Sequence, residues 1–283
     1  MEFPRYFKKA QKERWAIGQF NVSDMNALKG VVAAAVKLKS PIIIGTSEGE
    51  SGFLGLKEAA NLVDFYRRKT GLPILLNLDH GRSLEYIKRA INEGYSAVHF
   101  DGSKLPLNEN IKIAGKVKDY ARKRGVLVEG EMDAVSGSSS LLKKAPEAKS
   151  VKMTDPLEAK RFVSLSGVDS LAVSIGTFHG QVRGFQPKID LERLKDINNQ
   201  LKNTFLVMHG GSGVSEKDIR SAISLGIVKI NVNTELRVAY SQALKKGLSG
   251  GETTPYKYLP EAVEAVQKVV EKKIKLFGSS NKI

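Results

Sequence analysis

The chain has 283 residues, with 45 Lys and Arg against 30 Asp and Glu, a formal net charge of +15 and no cysteine. The missing cysteines exclude disulfides, thiolate catalysis and cysteine zinc sites, and no apolar run is long enough for a targeting signal or a membrane span, so we expect a cytoplasmic protein. This length is the usual size of a single α/β barrel and no linker-like stretch divides it, so we predict one domain over residues 1–283.

Short apolar segments alternate with longer amphipathic segments about eight times along the chain. The predicted strands are Trp15–Val22, Pro41–Thr46, Pro73–Asp79, Ala97–Asp101, Gly125–Glu131, Ser170–Ile175, Thr204–His209 and Val228–Val232. The predicted helices are Asp24–Leu38, Leu56–Thr70, Leu84–Glu93, Asn108–Arg124, Pro156–Ser166, Asp190–Asn198, Ser215–Leu225 and Thr234–Lys246. Asp24, Asp155 and Ser215 are helix-start signals. This alternation predicts a parallel sheet, and eight repeats favour closure into a (β/α)8 TIM barrel.

One further segment follows the eight repeats. Pro260–Phe277 carries valine and isoleucine at helical spacing on one face, and Gly278 is a stop signal. We therefore predict an extra C-terminal helix, which packs on the barrel or on another subunit.

Two of the predicted strands lead to a histidine that is followed by glycine. Leu206–Met208 runs into His209-Gly210-Gly211-Ser212-Gly213, and Leu171–Ile175 leads through three residues to His179 and Gly180. Glycines let backbone N–H groups approach an anion without a side chain in the way. Each end therefore places a possible metal ligand beside a possible phosphate cradle.

Every predicted strand contributes polar residues at its C-terminal end. They are Asn21, Ser47, Glu48, Asp79, His80, Asp101, Glu129, Glu131, His179, His209, Asn231 and Asn233. In a barrel these ends converge on the face where active sites occur. Three neutral imidazoles around an open position are a standard arrangement for a catalytic divalent metal, so we predict a metal site at His80, His179 and His209. We expect His99, within an apolar run, to lie in the core or behind the metal ligands.

The ordered motifs resemble those of the class II, metal-dependent fructose-bisphosphate aldolases. The resemblance extends from about Ala16 to Gly278. The matching runs are Leu76-Asn77-Leu78-Asp79-His80-Gly81, Asp101-Gly102-Ser103, Val128-Glu129-Gly130-Glu131, Ile175-Gly176-Thr177-Phe178-His179-Gly180, His209-Gly210-Gly211-Ser212-Gly213 and Lys229-Ile230-Asn231-Val232-Asn233-Thr234.

The resemblance implies a metal centre and an acid/base beside it. His80, His179 and His209 would hold the metal, usually zinc, and Asp101 and Glu131 match carboxylates close to it. Asp79 matches the residue that moves a proton at the aldehyde oxygen of the substrate. The alternative for Asp79 is a carboxylate that only orients an imidazole.

The resemblance also implies a binding site for a small phosphorylated sugar. Gly180, Gly211 and Ser212 match the triose phosphate cradle, and carbonyl groups of these loops hold a monovalent cation, Na⁺ or K⁺, in family members. The remaining substrate-side residues are Asn231 near the metal, with Asn233 in the same motif, and Asn21 and Ser47 at the mouth. A homodimer or a higher homo-oligomer is the family expectation.

The chain departs from the family at two places. In the family, a glutamate on a mobile loop removes a proton from the substrate. The position that matches this glutamate is Ser139 here. Asp133, Glu147, Glu131 or a metal-bound hydroxide could replace it. We favour Glu147, because Lys143–Lys152 has the composition of a long basic lid, although a solvated loop without a catalytic role is an equal alternative.

The second departure concerns the arginine that often binds the second phosphate. Thr254–Val263 contains none, so Lys257 or a lid lysine would take that role.

Four functions remain open on the sequence. Fructose 1,6-bisphosphate is the first choice of substrate, and tagatose 1,6-bisphosphate differs from it only at C4. A Schiff-base aldolase would use Lys229 as its amine. A metal-binding paralogue that has lost catalysis is a further alternative. Nucleic acid would suit the positive charge, but the lysines are spread over helix faces and no nucleic-acid-binding motif is present, so we predict no such partner.

Overall fold

The computed structural model describes residues 3–145 and 152–283 and confirms the predicted TIM barrel. Eight parallel strands close in the order β1-β10-β9-β7-β5-β4-β3-β2. Their bounds are β1 Ile17–Asn21, β2 Ile42–Ser47, β3 Ile74–Gly81, β4 Ala97–Asp101, β5 Leu127–Glu131, β7 Ser170–Ala172, β9 Phe205–Met208 and β10 Ile227–Val232. The barrel strands are almost wholly buried, as expected for strands covered on both faces.

Helices surround the barrel and cover its outer face. Their bounds are α1 Phe3–Glu13, α2 Met25–Leu38, α3 Glu48–Leu54, α4 Leu56–Thr70, α5 Leu84–Asn92, α6 Leu107–Arg122, α7 Pro156–Ser166, α8 Leu191–Gln200, α9 Glu216–Ser224, α10 Thr234–Leu248 and α11 Pro255–Phe277. The three predicted start signals are confirmed, because the side chains of Asp24, Asp155 and Ser215 accept hydrogen bonds from first-turn N–H groups. None of the helices in the described part of the chain has the length and apolar character of a bilayer-crossing segment.

Helix α1, which the sequence did not predict, closes the N-terminal end of the barrel. Its residues Phe3, Tyr6 and Phe7 form a separate buried cluster with side chains from the first positions of the strands. Phe7 stacks at a tilt on Phe205 of β9 with ring centroids 5.1 Å apart. The end of the barrel opposite the predicted site is therefore packed with aromatic side chains.

Helix α11 is longer than predicted, because it begins at Pro255 and contains Pro260 within its first turns. Its buried face packs on α2 and α10 rather than standing free. The approach to α2 is close, since a Cβ atom at Gly30 would come within 2.6 Å of the carbonyl oxygen of Val263. Of the two predicted alternatives, the barrel or another subunit, the structure shows packing on the barrel.

A two-stranded parallel ribbon lies outside the barrel, where the sequence analysis expected loops. It pairs β6, Gly137–Leu142, with β8, His179–Val182. The predicted sixth strand is correspondingly shorter, since β7 ends at Ala172 instead of Ile175. Gly180 adopts a φ of 106°, and a Cβ atom there would come within 2.6 Å of the carbonyl oxygen of Ser138. Glycine thus allows the close pairing that holds β6 against the strand that begins at His179.

Candidate active site

The three predicted metal-binding histidines lie together at the C-terminal end of the barrel. His80 is the second-to-last residue of β3, His209 directly follows β9, and His179 is the first residue of β8. Nε2 of His80 lies 3.1 Å from Nδ1 of His209. The ring centroid of His179 lies 5.5 Å from that of His80 and 5.8 Å from that of His209. Tetrahedral zinc separates two bound nitrogens by roughly 3.4 Å, so the facing nitrogens of His80 and His209 are spaced to share one cation. The ring of His179 lies beside both, but none of its nitrogens belongs to a set of closely spaced ligand atoms in the described residues.

A carboxylate lies behind each of two of these rings. Oδ2 of Asp101 is 3.1 Å from Nδ1 of His80, and Oε1 of Glu129 is 2.8 Å from Nε2 of His209. Each ring therefore presents one nitrogen to its neighbour while a carboxylate fixes the other, which is how proteins orient metal-binding histidines. Asp101, predicted near the metal, is placed on the far side of the His80 ring. Glu129 is also paired with the buried Lys229, whose Nζ is 2.6 Å from Oε2.

The surroundings shift the pKa values of two of the histidines in opposite directions. Burial disfavours the charged form of His80, but the carboxylates of Asp79, Asp101 and Glu131 outweigh it and raise the pKa of His80 to about 9. Burial and the neighbouring imidazoles lower the pKa of His179 to about 4. Without a bound cation, these shifts favour the charged form of His80 and the neutral form of His179 at neutral pH.

His99 completes the cluster, and the sequence analysis did not predict it as a ligand. It is fully buried, with a ring centroid 4.1 Å from that of His80, and its Nε2 lies 3.1 Å from Oε2 of Glu131 without the alignment of a hydrogen bond. In the described residues, one possible set of ligand atoms comes from Asp79, His80, His99 and His209, and a second comes from His80, Asp101 and Glu131. Buried imidazole and carboxylate atoms without good partners fit a divalent cation.

Asp79 is held beside the imidazoles by amide groups from two other strands. Asn21 donates to Oδ2 at 2.8 Å, and Asn231 donates to Oδ1 at 2.9 Å. The nearest ring nitrogen, Nε2 of His80, is 3.9 Å away. Burial opposes ionisation of Asp79, but His80, His209 and Lys229 outweigh it and keep its pKa well below the usual range. Both oxygens of Asp79 thus accept hydrogen bonds from amides, whereas its contact with the His80 ring is an ion pair longer than a hydrogen bond.

Glu50 and Arg237 also belong to this mouth, and the sequence analysis missed both. Oε2 of Glu50 accepts from Nδ2 of Asn21 at 2.9 Å and from the backbone N–H of Ser47 at 2.8 Å. Its Oε1 accepts from Arg237 at 2.6 Å and from Asn233 at 3.3 Å. The Ser-x-x-Glu spacing of a capping box, which the structure shows at the start of α3, was the available sequence signal. Ser47, predicted as a substrate contact, serves there as the helix cap.

The predicted phosphate loops pack against each other through their backbones. Gly210 has a φ of 66°, and a Cβ atom there would collide with the backbone of Phe178, one residue before His179. A Cβ atom at Gly211 would meet Ile230 at 2.6 Å, and Ser212 is buried beside it. The segment before His179 and the loop after His209 are therefore in direct contact, and their role as a phosphate cradle stays a prediction.

The residues that could replace the loop glutamate of the family, which removes a proton from the substrate, do not lie together. Ser139 lies in β6, where its carbonyl oxygen accepts from Arg237 at 3.0 Å. Asp133 is buried in a cleft with Leu105 and pairs with Lys152 at 2.9 Å, so its carboxylate is already engaged. Glu147 lies outside the described residues.

The closed eight-stranded α/β barrel with imidazoles and carboxylates gathered at its C-terminal end places the protein among TIM-barrel enzymes with a site suited to a metal ion. More particularly, the chain belongs to the class II fructose-bisphosphate aldolase family, whose model matches residues 2–282. Aldolases of this class are metal-dependent lyases that act on small phosphorylated sugars. The resemblance predicted from the sequence is confirmed.

Two curated relatives match nearly the whole chain. A protein of Shouchella clausii named 6-phospho-5-dehydro-2-deoxy-D-gluconate aldolase is 38% identical over 278 residues, which cover 96% of this chain and 92% of that protein. A fructose-bisphosphate aldolase of Staphylococcus epidermidis is 35% identical, with 96% of this chain and 95% of that protein covered. The relatives thus share the aldolase activity in their names but differ in the substrate.

Solved structures show the same fold. The YdjI aldolase from Escherichia coli K12 superposes with a TM-score of 0.85 at 32% identity, covering 100% of this chain and 98% of that chain. The fructose-bisphosphate aldolase of Campylobacter jejuni superposes with a TM-score of 0.84 at 22% identity, covering 100% and 95%. At this lower identity the second likeness supports the fold alone.

Proposed function

We propose that this protein catalyses the reversible, metal-dependent aldol cleavage of a ketose 1,6-bisphosphate, with fructose 1,6-bisphosphate as the first choice. The products would be dihydroxyacetone phosphate and glyceraldehyde 3-phosphate. The observation that carries the proposal is the convergence of His80, His179 and His209 beside an Asp79 carboxylate that two amides hold in place.

A divalent cation, zinc as first choice, would be held by His80, His179 and His209 and would supply Lewis-acid polarisation of the ketose carbonyl. Asp101 and Glu131 stand behind or beside the rings, where they fix orientation and balance charge. His99, which lies against Glu131, extends the donor set on the inner side.

Asp79 would act on the proton of the C4 hydroxyl group. In cleavage it accepts that proton as the C3–C4 bond breaks, and it returns the proton in condensation. The amides of Asn21 and Asn231 each donate to one of its oxygens and so hold the carboxylate in place. A second proton must reach C3 before the triose phosphate leaves, and Glu147 remains our prediction for that transfer.

The substrate-side residues would bind the triose phosphate half. Gly180, Gly211 and Ser212 would offer backbone and hydroxyl groups to the phosphate, and a Na⁺ or K⁺ ion on carbonyl groups of the same loops would balance its charge. Asn231 and Asn233 would line the wall between this cradle and Asp79.

Two other ketose phosphates are candidates for the same chemistry. Tagatose 1,6-bisphosphate differs from the fructose compound at C4, which is the carbon whose hydroxyl group Asp79 would serve. The Shouchella clausii relative, at 38% identity, favours 6-phospho-5-dehydro-2-deoxygluconate, which ends in a carboxylate instead of a second phosphate. Cleavage of all three releases dihydroxyacetone phosphate.

A Schiff-base mechanism at Lys229 has little support. Lys229 is 3% exposed and its Nζ is 2.6 Å from Glu129, so it is held as an ion pair in the barrel interior. A nucleophilic lysine must be neutral and accessible to a carbonyl group.

The decisive experiment is a cleavage assay with the three sugars on zinc-loaded protein. We expect turnover of at least one sugar, loss of turnover in chelator and recovery on addition of zinc. Asp79→Ala should reduce turnover about 100- to 10,000-fold while the protein keeps its zinc. Activity that survives chelation but is trapped by borohydride would instead indicate a Schiff base, and no turnover with any sugar would indicate the non-catalytic paralogue.

The remaining properties are proposals of the same kind. We infer a cytoplasmic protein that forms a homodimer or a higher homo-oligomer and does not bind nucleic acid. Light scattering of the purified protein would test the oligomer, because each chain weighs 31.0 kDa.

A further inference from the structure

His99 is a fully buried histidine of β4 that takes no part in the proposed proton transfers or in phosphate binding. Its ring centroid lies 4.1 Å from that of His80 and 4.9 Å from that of His209. Within the described residues, neither of its ring nitrogens has a hydrogen-bond partner. Burial of such a group costs free energy unless a partner satisfies it, and neutral imidazole nitrogens are common ligands of divalent metal ions. His99 is therefore a candidate metal ligand in its own right.

One atom of His99 belongs to a compact set of four possible ligand atoms. The others come from Asp79, His80 and His209, and all four lie within 4.8 Å of one another. Ligand atoms at about 2.1 Å from an ion are separated by roughly 3.4 Å in a tetrahedron and by about 4.2 Å across an octahedron. The four atoms therefore need to shift by only several tenths of an ångström to enclose one ion.

The charge of the surroundings favours a cation over a water molecule. Asp79, Glu129 and Glu131 are buried around the rings, and Lys229 pairs with Glu129 at 2.6 Å. In the part of the chain that the structure describes, neither Asp79 nor Glu131 is paired with a lysine or an arginine. Oε2 of Glu131 lies 3.1 Å from Nε2 of His99 and is itself without a hydrogen bond. Buried carboxylates are stable when they are paired or bind a metal ion, so a divalent ion between the rings would neutralise them.

The position that includes His99 is deeper in the barrel than the site that His179 would complete. Strands β4 and β5 pair so that His99 is level with Glu129, two residues before the ends of both strands at Asp101 and Glu131. His179, in contrast, is the first residue of β8, which lies outside the barrel. The two rings therefore approach the cluster from the barrel interior and from the loops at its mouth.

We propose that His99 is a metal ligand and that it forms, with Asp79, His80 and His209, an inner site for a divalent transition-metal ion such as zinc or cobalt. Three imidazoles and one carboxylate are a donor set that suits these ions. A carboxylate that binds the ion is not free to take a proton, so the inner site differs from the one that serves cleavage. The inference rests on the proposed function only in that both place a cation on His80 and His209.

The test removes His99 and His179 separately and together and measures zinc binding without any sugar. Chelator-treated protein is titrated with zinc in competition with a chromophoric chelator. His179→Ala should still bind one zinc per chain, with a dissociation constant within about tenfold of that of the unaltered protein. His99→Leu added to His179→Ala should weaken binding about 1,000-fold, beyond the roughly 10- to 100-fold that loss of a residue behind a metal ligand causes.

Two further variants separate coordination from folding. His99→Gln keeps an amide that can donate to Glu131 but is a poor zinc ligand, so in the His179→Ala protein it should weaken zinc binding nearly as much as leucine does. Thr46→Val removes a different buried polar group of the barrel, a hydroxyl group bonded to that of Tyr95 at 2.7 Å, and should leave zinc binding unchanged. Thermal unfolding without metal checks that each variant is folded.

X-ray absorption at the zinc edge adds a readout that a purely structural role of His99 would not change. The zinc ion in the His179→Ala protein should have three imidazole ligands. Addition of His99→Gln should reduce that number to two.

Loss of zinc binding in His179→Ala would overturn the inference, and so would equal zinc affinity with and without His99 in that protein. Unchanged affinity in His99→Gln would also overturn it, because it would assign His99 to holding Glu131. These outcomes are distinct from a failure of the proposed function, which is measured as the absence of cleavage in the unaltered protein. An inner site without cleavage would leave the role of His99 standing and remove only the aldolase reaction.

Discussion

At the scale of single residues, the opposite pKa shifts of His80 and His179 have a consequence for metal uptake. At pH 7 His80, with a pKa of about 9, carries a proton in the metal-free protein, whereas His179, with a pKa of about 4, does not. A cation binds only the neutral ring, so zinc must displace the proton from His80. We predict the release of about one proton from His80 for each zinc bound at pH 7.

Calorimetry in two buffers of different ionisation enthalpy measures this release. Because the pKa of His80 is raised, zinc affinity should increase with pH up to about 9, and proton release should decline above that value. A zinc affinity that is flat between pH 6 and 8, with no proton released, would show that His80 is neutral in the free protein.

Residues of the candidate site differed in how well the sequence revealed them. His80, His209 and Asp79 stand at strand ends beside glycine or one another, so position alone indicated them. Glu50 and Arg237 begin neighbouring helices, and their contact depends on the closure of the barrel, which places β1 between β10 and β2. That adjacency is a tertiary property that no local pattern contains.

At the scale of secondary structure elements, periodicity predicted the barrel but not its additions. Strands that are buried on both faces appear in the sequence as continuous apolar runs, and the helices between them begin with capping residues. Both kinds of element could therefore be predicted from the sequence. Helix α1 has an apolar face, but it is rich in basic residues, and the helical spacing of its apolar residues was not recognised in the sequence. The strand β6 is Gly137 followed by serines and leucines with most of its residues exposed, and it is ordered by backbone pairing with β8.

The aromatic cluster by which α1 closes the N-terminal end of the barrel gives a prediction about stability. Phe7 is buried between α1 and the first residues of the strands, and its ring lies 5.1 Å from that of Phe205. Phe7→Ala should lower the free energy of unfolding by about 3–5 kcal/mol, since it removes a large side chain and leaves a cavity. Urea denaturation measures the loss.

The matched control is Phe53→Ala, because Phe53 is 81% exposed on α3 and its removal should change stability by less than about 0.5 kcal/mol. Zinc content should stay the same in both variants, because α1 is at the end of the barrel opposite the imidazoles. Loss of zinc in Phe7→Ala would show that the two ends of the barrel are coupled.

At the scale of the whole molecule, closure of the barrel gathers residues that are far apart in the sequence. Asn21, Asp79 and Asn231 come from β1, β3 and β10, yet two hydrogen bonds of 2.8 and 2.9 Å join them. The same closure places lysines on the outer helices and gathers carboxylates at the C-terminal end of the barrel. We therefore expect the positive charge of the lysines to act on an approaching substrate more than on a substrate already bound in the site.

This distribution predicts that the positive surface steers anionic substrates. Exposed charges act over about 30 Å at 0.01 M salt but only about 8 Å at 0.15 M. With a net charge of +15, kcat/KM for fructose 1,6-bisphosphate should fall severalfold across that range, and by less for fructose 1-phosphate, which carries fewer charges. Stopped-flow or coupled assays at matched pH measure both slopes. Equal slopes for the two sugars, or none, would mean that the outer lysines only solvate the helices.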